Sequence, residues 1–300
     1  MNSSILYVNS KKDYFYFADD SCQQILKDGR RYRLIAKFFS AIGIKAPNWV
    51  LNDRARLIES DRVVITDSAF EQSLYQRAIF EKGKSNVYVY IMNPLDRVKE
   101  NKIKTIFNNV GKDKIYTFSK SEAEIYNIKY IHTPYSNSFA SSVSSKTPKY
   151  DLIFLGKDKG RMQYIKNIYD YLNNKGYRLK FMVLTKKKED LSITINKRIS
   201  YQDYISLVSE SKAILEITQE NQKGCTLRFL EAIYFGKKLI TTNTSALDDE
   251  YFDSRFMSVL SSSQNEEDLM ELVNLIDSPT VTNITRPKEL DCPHWLKYFE

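Results

Sequence analysis

The sequence predicts an α/β protein of two domains, each a doubly wound parallel sheet, with a cleft between them. Three observations lead there. A chain of 300 residues is longer than one hydrophobic core usually organises. Short β-rich runs alternate with amphipathic stretches, which is the signature of βα units and a parallel sheet. That alternation halts in the serine-rich stretch SNSFASSVSSKTPK, residues 136–149, and restarts at DLIFLG, so the domain boundary belongs there.

In the first half, residues 5–8, 63–66, 87–92, 115–118 and 129–131 read as strands, with apolar-periodic helical stretches such as 69–80 between them. The basic residues Lys27, Arg30, Arg31, Arg33, Lys37 and Lys45 crowd into one further helical region. The second half opens with a buried strand at 151–156, then a helix at 161–174 closed by Gly176 and a strand at 178–184. A helix at 202–210, a strand at 212–217, a helix at 227–235 ended by Gly236 and a strand at 237–242 follow. Residues 266–276 read as a helix, and the tail from His294 to Glu300 as a short terminal one. The expected organisation is therefore a domain over 1–140, a linker at 141–149, a domain over 150–285, and a terminal helix at 286–300 packing back on the first domain.

Composition narrows the class. With 42% hydrophobic and 27% charged residues there is core to bury, and global disorder is excluded. No uninterrupted apolar run of about 18 residues occurs and the first residues offer no apolar signal segment, so the expectation is a cytoplasmic protein. Cys22, Cys225 and Cys292 are too few and too scattered for a disulfide framework or a CxxC clasp, and read as reduced thiols. With only His132 and His294 in the chain, no histidine-rich metal site is expected.

The positive charge is lopsided. Residues 1–149 carry 24 Lys and Arg against 15 Asp and Glu, a surplus larger than the whole-chain net charge of +8. Such a half suits a polyanionic partner: nucleic acid, an anionic membrane surface, or a phosphate-bearing substrate. A lysine-rich solubilising surface is the plainer alternative.

Ligands of doubly wound sheets lie at the carboxyl ends of strands, so chemistry is sought at the βα turns. One such turn is QKGCTLRFLEA, Gln222 to Ala232, between a strand and a helix. Gly224 lets a ligand approach the backbone, Thr226 caps the helix, and the amides around Cys225 and Thr226 lie at the positive end of the helix dipole. Arg228 and Glu231 share a helix face, where the guanidinium suits a diphosphate and the carboxylate suits two vicinal ribose hydroxyls. The alternative is an ordinary capped helix with a surface ion pair. A second turn, GKDKGR, follows the domain's first strand, with Gly156 and Gly160 clearing the backbone and Lys157 and Arg161 bringing charge. It is neither a Walker loop nor GxGxxG.

The stretch from Asp151 to Asn243, with GKDKGR, SYQDYISLVSESKAIL and QKGCTLRFLEAIYFGKKLITTN, resembles the donor-binding domain of GT-B-fold bacterial glycosyltransferases of the cell-surface polysaccharide type, which make capsule, lipopolysaccharide or exopolysaccharide. YIMNPL and YTFSKSEAEIYNIKYIHTPY in the first half are similar to acceptor-domain stretches of the same group. The resemblance implies two Rossmann-like domains: a C-terminal one holding a nucleotide-sugar donor and an N-terminal one holding a saccharide or polyprenyl-diphosphate-linked acceptor, with no cofactor and no tightly bound metal. By the same resemblance Glu231 matches the ribose-binding glutamate, Gly224, Thr226 and Arg228 the diphosphate turn, and Lys157 and Arg161 the basic pair at the phosphates. The backbone near Ile199 to Tyr201 corresponds to where the base usually lies. Retaining members often carry a glutamate just before the glycine, where this chain has Lys223, which argues against retention through that residue.

An inverting transfer needs a base on the acceptor side. Asp67 in VVITDS, at a strand's carboxyl end, is the first candidate, with helix capping as its alternative role; His132 in YIHTPY is the second, with a structural loop histidine as the alternative. The basic surplus then suggests peripheral docking at the inner membrane face. Rival readings are a nucleic-acid-binding protein, which the absence of RRM, KH and zinc-finger signatures disfavours, a GT-B-like nucleotide-sugar epimerase, and a non-catalytic scaffold.

Overall fold

A computed structural model describes residues 4–8, 22–23, 27, 30–52, 54–185, 192–218, 224–261 and 265–300; Gln222 and Lys223 lie outside them. The chain divides into two compact units, Met1–Phe139 with Pro287–Glu300, and Ala140–Arg286.

The strands of the first unit are β1 (Ile5–Val8), β2 (Cys22–Gln23), β3 (Arg62–Thr66), β4 (Val87–Ile91), β5 (Ile115–Thr117) and β6 (Lys129–Tyr130). They pair in the order β2-β1-β3-β4-β5-β6, every pairing parallel. All five residues of β4, VYVYI, are buried, as expected of a strand covered on both faces. The helices are α1 (Arg30–Ala41), α2 (Arg54–Glu59), α3 (Gln72–Lys82), α4 (Glu100–Asn109), α5 (Lys120–Tyr126) and α6 (Asn137–Ser142), which crosses the unit boundary. The strand order turns back between β1 and β3, which sets this sheet's switch point.

In the second unit, β7 (Tyr150–Lys157), β8 (Leu179–Leu184), β9 (Thr194–Ile195), β10 (Ser211–Glu216), β11 (Lys238–Thr241) and β12 (Met257–Val259) form the order β12-β11-β10-β7-β8-β9, again all parallel. Here the order reverses between β7 and β10. Helices α7 (Met162–Asn174), α8 (Tyr201–Ser209), α9 (Leu227–Phe235) and α10 (Glu266–Asp277) complete it. Ser200 caps α8 by accepting the Asp203 N–H, so that helix begins one residue before the sequence expectation. Helix α9 runs from the Thr226 cap to Gly236, whose φ of 61° stops it in the left-handed region.

Three expectations need correction. The first helix after β3 begins at Gln72, not at residue 69, because the Ala69 and Phe70 amides bond back to the Thr66 carbonyl in a turn. The serine-rich stretch is in part folded: Ser136 is buried and accepts the Phe139 N–H, while Asp291 accepts the Asn137 N–H, which starts α6. The tail forms α11 (Cys292–Trp295) and a 3-10 turn at Leu296–Phe299, earlier than position 294. Trp295 packs edge-on against Tyr7 and Tyr90, and Phe299 against Tyr88 and Tyr116. The tail thus supplies aromatic core to the first unit.

Candidate functional site

At the switch point of the second sheet, the carboxyl ends of β7 and β10 and the amino end of α9 enclose a cavity of about 240 Å³. Its wall includes Lys157, Lys159, Arg161 and Arg228 beside Thr218 and Thr226. The geometry is set by hydrogen bonds, one buried and the others part-buried. Thr226 accepts the Arg228 N–H and donates to Glu216 at the end of β10; the other Glu216 oxygen accepts from Thr241 at 2.7 Å. Asn243 donates to the Gly224 carbonyl at 2.9 Å, and the Cys225 thiol lies 3.1 Å from Asp249. Gly224, with φ of 83°, is in the left-handed region that admits glycine freely.

The cations are fixed from behind. Arg161 donates to the carbonyls of Lys157, Asp158 and Ile217, so it ties the end of β7 to the end of β10. Arg228 donates from Nη2 to the Leu155 carbonyl, and its Nε is buried with no partner among the described residues. Burial works against the Arg228 charge, but Tyr204, Glu231 and Glu216 more than reverse that, and its pKa is raised. Gly160 has φ of 81° and open space beside it. Gly156 is different: a Cβ there would stand 2.8 Å from the Phe154 ring, so packing within its own strand favours glycine there.

Glu231 does not present a bare carboxylate. It is 1% exposed, and its two oxygens accept from the hydroxyls of Tyr201 at 2.9 Å and Tyr204 at 2.8 Å. Burial raises its pKa, with Arg228 and the two tyrosines opposing. The Tyr201 side chain donates to Glu231, a contact the sequence did not indicate. The alternative of a surface ion pair between Arg228 and Glu231 does not hold, because both groups are taken up in an internal network.

At the carboxyl ends of β3 and β4 in the first sheet, beside α1 and α4, lies a larger cavity of about 650 Å³, with Asp67, Glu71 and Lys102 in its wall. Asp67 does not cap a helix. One oxygen accepts the Met92 N–H and the other the Asn93 amide, both at 2.9 Å. Burial raises its pKa against those bonds and Lys102. Glu71 was not singled out by the sequence. Its carboxylate has no hydrogen-bond partner among the described residues, and burial raises it while Lys102, Lys37 and Arg33 oppose. Lys102 is lowered by burial, with Glu71 and Asp67 opposing. His132 is not brought to this group. It follows β6, three strand spacings or roughly 14 Å across the sheet from β3, its ring lies edge-on to Tyr130, and its carbonyl accepts from Trp295. Among the described residues no three His, Cys, Asp or Glu side chains group as metal ligands, and no helix is long and apolar enough to cross a membrane.

Residues 163–282 match the model of a family described as Glycosyl transferase-like. The matched stretch, 120 of the 300 residues, lies within the second unit. The match begins just past Arg161 and takes in SYQDYISLVSESKAIL and GCTLRFLEAIYFGKKLITTN. No curated protein matches the chain in sequence. Among solved structures, it is similar to S. aureus MnaA with UDP, at 12% identity and a TM-score of 0.45 over 91% of this chain and 87% of that one. It is also similar to the Methanocaldococcus jannaschii UDP-GlcNAc 2-epimerase with UDP-GlcNAc and UDP, at 11% and 0.49 over 99% of each chain. Sucrose-phosphate synthase from Thermosynechococcus elongatus aligns at 11% and 0.48 over 91% of this chain and 79% of its own.

Proposed function

We propose that this glycosyl transferase-like protein moves a sugar from a nucleotide-sugar donor, bound by the second unit, to a saccharide or polyprenyl-diphosphate-linked acceptor bound by the first, in the synthesis of a bacterial surface polysaccharide. The observation that carries the reading is the cavity at the β7/β10 switch point, walled by four cations at the amino end of α9. Peptide N–H groups at a helix start and converging Lys and Arg side chains suit a diphosphate. The buried, unpartnered Nε of Arg228 is a donor in want of an acceptor.

In the transfer, the bond between the anomeric carbon and the diphosphate oxygen breaks, and a bond to the acceptor oxygen forms. Negative charge grows on the departing diphosphate, and Lys157, Arg161 and Arg228 stabilise it in place, without a tightly bound metal. The acceptor hydroxyl's proton goes to Asp67, whose pKa burial raises above the ordinary carboxylate value, making it a stronger base than a free carboxylate. A ribose reaches Glu231 by displacing the Tyr201 hydroxyl, since Tyr201 is half-buried and Tyr204 is buried.

Incubation with UDP-, GDP- and CMP-linked sugars, with and without polyprenyl-diphosphate-linked saccharides, tests this. One donor should release its nucleotide only when acceptor is present, with the sugar recovered on the lipid. Conversion of a donor to its epimer without acceptor would replace this reading with an epimerase, and an absence of turnover with every pair would defeat it.

A further inference from the structure

The outward face of α1 is unusual for a surface helix of a soluble domain. Its inner side, Tyr32, Ile35, Ala36 and Ser40, packs toward α3, where Ser73 donates to the Ala36 carbonyl and bonds Ser40. Its outer side exposes Leu34 (56%) and Phe38 (62%), one turn apart, and the chain beyond it exposes Ile42, Ile44 and Trp49 (55%). Interleaved with these are Arg30, Arg31, Arg33, Lys37 and Lys45, and residues 30–52 contain no acidic residue. Phe80 of α3, also exposed, lies under Lys45.

We propose that this face, α1 with residues 42–49, docks the protein on an anionic lipid bilayer. Exposed aromatic and aliphatic side chains among cations match an interface of acidic headgroups over hydrocarbon: the apolar tips enter the acyl boundary and the Lys and Arg stay with the phosphates. Two other occupants fit worse. A second copy joined across a twofold axis would set the same five cations against themselves, and nucleic acid offers no apolar medium for Leu34, Ile42 and Ile44. Lys37, Ser40 and Ala41 of the docking helix also form a wall of the cavity that holds Asp67, so docking brings that cavity to the membrane, where a lipid-linked acceptor resides. Only that last step rests on the proposed transferase reading; the docking does not.

Flotation of the full chain with vesicles of phosphatidylcholine alone, or mixed in equal parts with phosphatidylglycerol, tests the inference. Binding to the mixed vesicles should exceed binding to the neutral ones by about tenfold or more and fall as salt is raised. Phe38→Glu with Trp49→Glu should lower it by about tenfold or more, as should Arg31→Glu with Lys37→Glu. Phe38 and Trp49 are exposed, so the first pair should keep the parent's melting temperature and nucleoside diphosphate affinity, which separates this test from that of the donor site. Equal binding to both vesicles, or binding that both variants retain, overturns the proposal. A self-association of the parent that Phe38→Glu abolishes would assign the face to a second copy instead.

Discussion

Glu231 holds two tyrosine hydroxyls, one of them buried and one half-buried, and that asymmetry decides what its substitution does. Glu231→Ala strands the Tyr204 hydroxyl in the interior and removes the carboxylate facing Arg228. It should weaken nucleoside diphosphate binding by about 1 to 3 kcal/mol, the scale of a charge-assisted bond or an unpaired buried group. Tyr201→Phe removes only the competitor for one carboxylate oxygen. Calorimetry should find it binding as tightly as the parent or a few-fold tighter. A loss equal to that of Glu231→Ala would place the Tyr201 hydroxyl itself on the ligand. Residues at this scale were unevenly legible. Thr226, Arg228 and Glu231 stand in one local motif. Glu216 and Glu71 do not: Glu216 lies in KAILEI and reads as strand interior, and only the register that pairs it with Thr241 gives it a role.

At the scale of elements, the second sheet is pinned at the start of its central strand. Asp151 in β7 accepts from Arg178 through the backbone amide, Nε and Nη2, and pairs with Lys212 of β10 at 2.9 Å. Burial alone would raise Asp151; the Arg178 and Lys212 bonds more than reverse it, so its pKa falls below the usual carboxylate range. A carboxylate depressed in the folded state stabilises the fold above its unfolded pKa, about 3.9, and that stabilisation fades as pH drops through the folded value. Asp151→Asn should therefore lower the melting temperature at pH 7 and make stability less steeply dependent on pH in the acid range below about 4. Chemical denaturation across that range checks it; parallel curves for variant and parent would contradict it. Strand positions were readable because buried parallel strands are near-continuous apolar runs, as in VYVYI. The short strands β2, β9 and β12 were not, since two or three residues carry little period; β6, equally short, was legible within the run 129–131. The start of α3 was missed because the turn after β3 is a matter of which amides return to Thr66.

For the whole molecule, both cavities lie at the carboxyl ends of parallel strands, β3 and β4 in one sheet and β7 and β10, where the strand order reverses, in the other, as expected of two doubly wound sheets in one chain. The βα alternation made that architecture legible, and the serine-rich stretch marked the change of sheet; it could not show that Ser136 would be buried and start a helix. The charge asymmetry was plain in composition, but only the folded α1 sorts exposed Leu34 and Phe38 from buried Ala36. The central claim is that the cations at the β7/β10 switch point grip a diphosphate. Isothermal titration of the full chain with UDP, GDP, CDP and CMP tests it most directly, in the parent and in Arg228→Ala. One nucleoside diphosphate should bind the parent and lose about tenfold or more in the variant, the scale of one charge-assisted hydrogen bond. Binding of equal strength in parent and folded variant, or none to the parent, would contradict the claim.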